Sequence, residues 1–131
     1  KPAFVTSGWV DYTEAVRWIR AAGGIAVLAH PQHYNLTATK LNRLLERFVR
    51  AGGEAMEIQP VRATDEVRGQ LIRHLHKHAL SGSVGSDFHG ESYQIARFGS
   101  LIPIPAGVRP VWHDPRITRF FNPNHSQRIL A

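Results

Sequence analysis

The chain has 131 residues, 43% of them hydrophobic, with no cysteine and a formal net charge of +6. That size bounds it to one domain or part of one, and the apolar content excludes an intrinsically disordered chain. Without cysteine there is no disulfide framework and no thiolate metal site, so any metal must be held by His and carboxylate. No apolar run reaches membrane-spanning length and no secretory signal pattern opens the chain, so a cytoplasmic protein with no membrane partner is expected. A pI near 10.5 favours an anionic partner such as a nucleic acid, a nucleotide or a phosphorylated metabolite.

The first eight residues read as an extended lead-in. Asp11 is placed to cap a helix running to about Ala22, with Glu14 in its first turn and Ala15, Val16, Ile19 and Ala22 as its buried face. Gly23 and Gly24 end it, and Trp18 is expected to pack. Residues 25–29 are an unbroken apolar run, expected to form a strand buried on both faces. Pro31 stops it and leaves His30 at its C-terminal end, where α/β folds keep their sites.

Thr37 or Thr39 opens a second helix with Leu41, Leu44, Leu45, Phe48 and Val49 as its apolar stripe. Lys40, Arg43, Arg47 and Arg50 on the same helix read as a solvated face with no specific role. After Gly52 and Gly53, residues 55–58 form a second strand ending at Gln59. Within it, Glu57 is either a carboxylate that supports a ligand or a buried ion-pair partner. Thr64 or Asp65 caps a third helix whose apolar face is Val67, Leu71, Leu75 and Ala79. Of the three histidines near its end, only His74 and His78 are spaced to share a metal, and the group reads instead as a basic helix terminus.

Residues 80–84 supply a third strand, which leads into Gly85-Ser86-Asp87-Phe88-His89-Gly90. In an extended backbone Asp87 and His89 point to one side. Further on, residues 93–99 form a short helix or loop that offers Arg97 as a phosphate clamp. Residues 108–112 suit an edge strand, and residues 114–131 are expected to be an irregular tail after a domain portion spanning 1–113.

Three helix-then-strand units with right-handed crossovers place all three strand ends on one edge of a parallel sheet. His30, Asp87 and His89 therefore read as one metal site. The chain opens on Lys1 and Pro2 with Met56 as its single methionine, so a piece of a longer product is expected.

Residues 23–31 (GGIAVLAHP) and 85–89 (GSDFH) resemble the closing metal motifs of the PHP family of phosphoesterases, named for polymerase and histidinol phosphatase. The likeness runs from about Trp9 to Trp112, through AGGEAMEI and LIPIPAGVRPVW. It points to the branch described as 5′-3′ exoribonuclease or 3′,5′-nucleoside bisphosphate phosphatase. The resemblance implies the C-terminal half of a distorted (β/α)₇ barrel, with parallel strands alternating with helices. It also implies two or three divalent metals at the strand ends, manganese foremost, with zinc or iron as alternatives. By position, His30 matches the late His ligand, and Asp87 and His89 match the final Asp-x-His.

The early ligands of the family have no counterpart here, so an N-terminal half is expected to supply them and these residues alone to be inactive. After His30-Pro31 the chain has Gln32-His33, where relatives often carry Gly and a basic residue; His33 and Arg97 are candidate phosphate contacts. The implied activity is hydrolysis of a nucleotide or a 5′-phosphorylated RNA end by a metal-activated water. The alternatives are a histidinol or sugar phosphate phosphatase of the same family, and a non-catalytic basic module that binds nucleic acid by charge.

Overall fold

The computed structural model describes residues 8–58, 64–90, 101 and 103–119. Helix α1 (Tyr12–Ala21) precedes strand β1 (Val27–Leu28), α2 (Ala38–Ala51) precedes β2 (Ala55–Glu57), and α3 (Asp65–Lys77) precedes β3 (Ser81–Ser83). The strands form one parallel sheet in the order β1-β2-β3. Val27 lies opposite Ala55, and Glu57 lies opposite Ser83. All three C-terminal strand ends therefore share one edge.

The helix starts follow from short polar side chains that accept bonds from the first free backbone N–H groups. Asp11 accepts from Thr13 N at 2.8 Å, Thr37 from Lys40 N at 3.3 Å, and Thr64 from Val67 N at 3.3 Å. The end of α2 needs two glycines for different reasons. Gly52 takes φ 103° as its cap, while a side chain on Gly53 would run into the Phe48 ring.

Leu45 and Phe48 of α2, Leu71 and Leu75 of α3, and Met56 and Ile58 of the central strand segment form one buried cluster. Val16 of α1 and Val108 complete it from either side. Each such side chain contributes roughly 1.5–3 kcal/mol on burial, so the cluster is the main source of cohesion. The centre of β3 is Gly82 because a Cβ there would sit 2.5 Å from Val108. That close approach lets Gly82 N donate to Arg109 O at 2.8 Å, and the segment after Val108 bridges to β3 at Pro110.

Some local expectations give way. Only Val27 and Leu28 of the 25–29 run pair as strand, and Val27 is 39% exposed. Among the described residues, strand β1 is an edge strand, paired with β2 alone. Helix α1 packs against α2, leaving Trp18 58% and Ile19 41% exposed instead of buried. The 108–112 segment makes a single bridge and then a 3-10 turn (Val111–His113), since Pro110 has no N–H with which to extend a ladder.

Past Asp114 the chain opens with a helical turn, α4 (Pro115–Thr118). Arg116 holds it in place. Its guanidinium donates to both oxygens of Glu54, at 2.6 and 3.2 Å, and to both oxygens of Asp114, each at 2.9 Å. Hydrogen bonds from Arg116 hold the Asp114 carboxyl down at about 2, against an ordinary 3.8. A lowered carboxyl contributes stability that is present above pH 4 and lost as pH falls toward 2. Asp114→Asn is expected to lower the urea midpoint at pH 7, with the difference from the parent shrinking steadily between pH 4 and 2. A difference independent of pH would contradict this network.

Candidate metal and phosphate site at the strand ends

Strand β1 delivers His30 into an uncommon backbone geometry, φ 25° and ψ 59°. Such a conformation costs a non-glycine residue about 1–3 kcal/mol and persists only where neighbours enforce it. Two bonds do so. The His30 backbone N–H donates to Glu57 Oε2 at 2.8 Å, across from the end of the central strand. The Tyr34 hydroxyl donates to Ala29 O at 2.7 Å, folding a 3-10 turn (Pro31–Tyr34) back over the strand end.

Pro31, buried at the first position of that turn, has the fixed φ the turn needs. Burial, and then the charge of Glu57, raise the Tyr34 phenol above its ordinary value, so it stays a donor.

Glu57 also faces β3. A Cβ on Gly85 would lie 3.4 Å from Glu57 Oε1, so the chain leaving β3 passes against the same carboxylate. Two residues later Asp87 takes φ 50°. The backbone there is not extended, and Asp87 and His89 do not simply project to one side. They meet directly, with His89 Nε2 3.1 Å from Asp87 Oδ1. Both remain open to solvent.

His30 is brought together with Glu57, and its ring meets the His33 ring edge-on at 5.6 Å. His30 Nδ1 and both polar atoms of the Gln32 amide are buried with no hydrogen-bond partner among the described residues. A buried imidazole nitrogen with no partner is a donor position that fits a divalent ion. Among the described residues, no three His, Asp or Glu side chains gather closely enough to hold one. The described geometry thus has two parts, His30 with His33 on one side of Glu57 and Asp87 with His89 on the other. Gln59 and Arg97 lie outside the described residues.

Tyr34 escaped the sequence reading. The signal for Tyr34 was the proline after His30, which starts a tight turn and brings a residue three positions on back over the strand. The His74 and His78 rings stack at 6.4 Å, and His78 Nε2 lies 3.1 Å from Asn42 Oδ1. Burial, with Lys77 adding to it, lowers the pKa of both.

No family model matches the chain. It is 40% identical over 112 residues to a 5′-3′ exoribonuclease of Haemophilus influenzae, covering 86% of this chain and 40% of that protein. It is 34% identical over 114 residues to a 3′,5′-nucleoside bisphosphate phosphatase of Chromobacterium violaceum, covering 87% and 40%. The resemblance to that branch holds over most of the chain.

Among solved structures, an amidohydrolase from Chromobacterium violaceum with bound sulfate and no metal superposes with a TM-score of 0.72 at 34% identity, over 86% of this chain and 38% of that one. A protein from Bifidobacterium adolescentis, assigned as a metal-dependent phosphoesterase, shares the fold at a TM-score of 0.61 and 23% identity, over 78% and 36%. The chain spans about 40% of the length of the curated relatives it matches.

The His30–Glu57 bond is the local support of the site, and bonds to a charged acceptor contribute about 1.5–3 kcal/mol. Because Glu57 is only part-buried, Glu57→Ala is expected to destabilise by about 1–2 kcal/mol. It should also release His30 from its positive φ, seen as a shift of the His30 amide resonance. Unchanged stability with an unmoved His30 amide would show that Glu57 does not set this geometry.

Proposed function

We propose that this chain is the C-terminal portion of a metal-dependent phosphoesterase that hydrolyses nucleotides or 5′-phosphorylated RNA ends. Residues 1–113 would form half of a (β/α)₇ barrel and residues 114–131 its tail, within a cytoplasmic protein. The observation that supports this most is the meeting of the flanking strand ends on Glu57, in a chain whose relatives bear exoribonuclease and nucleoside bisphosphate phosphatase names.

His30, Asp87 and His89 would hold divalent metal, manganese foremost, with the remaining ligands supplied from outside these residues. Bound there, such ions would polarise a phosphoryl oxygen and lower the pKa of water. The chain's own residues have separate tasks. Glu57 fixes the His30 backbone and Tyr34 closes the turn. His33 and Arg97 would contact phosphate, matching the basic charge of the chain. Asp87 orients the His89 ring through their mutual bond.

The test is phosphate release from a 3′,5′-nucleoside bisphosphate and from a 5′-phosphorylated oligoribonucleotide by the intact protein. EDTA should abolish turnover and Mn²⁺ restore it. Asp87→Ala and His89→Ala should each lower kcat/KM by more than the roughly 10–100-fold that losing the support of a ligand costs. The 131 residues alone should show no turnover. Hydrolysis indifferent to EDTA, or intact in both variants, would sink this reading.

A further inference from the structure

Four basic residues of α2, Lys40, Arg43, Arg47 and Arg50, recur at helical spacing and are all exposed, forming one row. The row spans about 15 Å, at 1.5 Å of rise per residue. Its C-terminal part is not a plain solvated face. Arg47 and Arg50 converge with Arg17 of α1 around a cavity of about 340 Å³ whose other lining residues are Thr13 and Ala51. Arg20, also on α1, lays its side chain across Gly52 at the end of α2. No carboxylate among the described residues is within ion-pair distance of Arg17, Arg47 or Arg50. Asp11 feels the charge of Arg47, but its carboxylate is engaged by Thr13.

Three guanidinium groups line one groove with no ion-paired carboxylate among the described residues, which makes the groove electropositive. An anion is the ligand that matches it. The guanidinium fork binds phosphate oxygens in a bidentate manner, and two helices present the forks around one opening. The Arg47 guanidinium is further steadied over the Tyr12 ring, 5.4 Å from its centre. The end of α2 leads into the start of β2, so Arg50 stands toward the end of the sheet opposite His30 and Glu57. This groove is therefore separate from the strand-end site.

We propose that the α1–α2 groove, through Arg17, Arg47 and Arg50, binds the phosphodiester backbone of a single-stranded RNA away from the strand-end site. Charge complementarity carries the choice of a polyanion, and the row along α2 provides for several phosphates, not one. The choice of RNA rests on the function proposed above; the groove itself does not.

The test is binding of a fluorescent 20-nucleotide single-stranded RNA to the intact protein in EDTA, where hydrolysis plays no part. The variant Arg17→Gln/Arg47→Gln/Arg50→Gln should bind at least tenfold more weakly at 0.1 M salt. Its slope of log K against log salt should be shallower by about 2, since each lost single-strand phosphate contact is worth about 0.7. The single variant Arg50→Gln should show a smaller loss in the same direction, and replacement of all three by Lys should restore most of the slope.

Binding of a nucleoside 3′,5′-bisphosphate should be unchanged. Parent-like RNA affinity and slope in the triple variant would overturn the groove assignment. So would an equal loss for the bisphosphate, or a drop in unfolding midpoint without a change in RNA affinity, which would mark the arginines as a packing surface. Groove-dependent RNA binding in a protein that hydrolyses nothing would sustain the groove while removing the phosphoesterase.

Discussion

The Glu57 carboxylate is the point on which the strand-end geometry depends. It stands at the end of the central strand, accepts the His30 N–H with one oxygen and lies against Gly85 with the other. A carboxylate bonded to a backbone amide fixes a position without consuming a side chain, so the His30 imidazole is left for chemistry. On the other flank the chain leaving β3 runs within van der Waals reach of the same carboxylate at Gly85 before it reaches Asp87 and His89. One side chain thus registers two strand ends that lie 57 residues apart in the chain, counted from His30 to Asp87.

Much of this could be read from the residues alone. Caps at Asp11, Thr37 and Thr64 and the glycine stop at Gly52 are local decisions, made by side chains within a few positions of the backbone they serve. The parallel order followed from helix-strand alternation and crossover handedness. What could not be read depends on contacts made at long range. Trp18 sits at a core-like helical position, yet its exposure is set by α1 packing against α2. Asp87 and His89 bond each other because Asp87 leaves extended geometry, which the Asp-x-His spacing does not disclose. The Arg116 cluster joins residues 54, 114 and 116, and only folding places them together.

Charge tells a similar story. Along the sequence the arginines of α1 and α2 look like ordinary solvated positions. Packing the two helices brings the exposed Arg17, Arg47 and Arg50 to the rim of one groove. Part of the positive balance of the chain is thus gathered in the helical layer, apart from the strand ends where His30, Glu57, Asp87 and His89 stand.

The most direct measurement is anomalous X-ray diffraction from crystals of the intact protein grown with Mn²⁺. The expected result is manganese at the strand-end edge, with a His30 ring nitrogen, Asp87 and His89 all bound to one cluster and Glu57 still on the His30 backbone. Manganese elsewhere in the protein, or a strand-end edge that stays metal-free at saturating Mn²⁺, would contradict the metal site at its root.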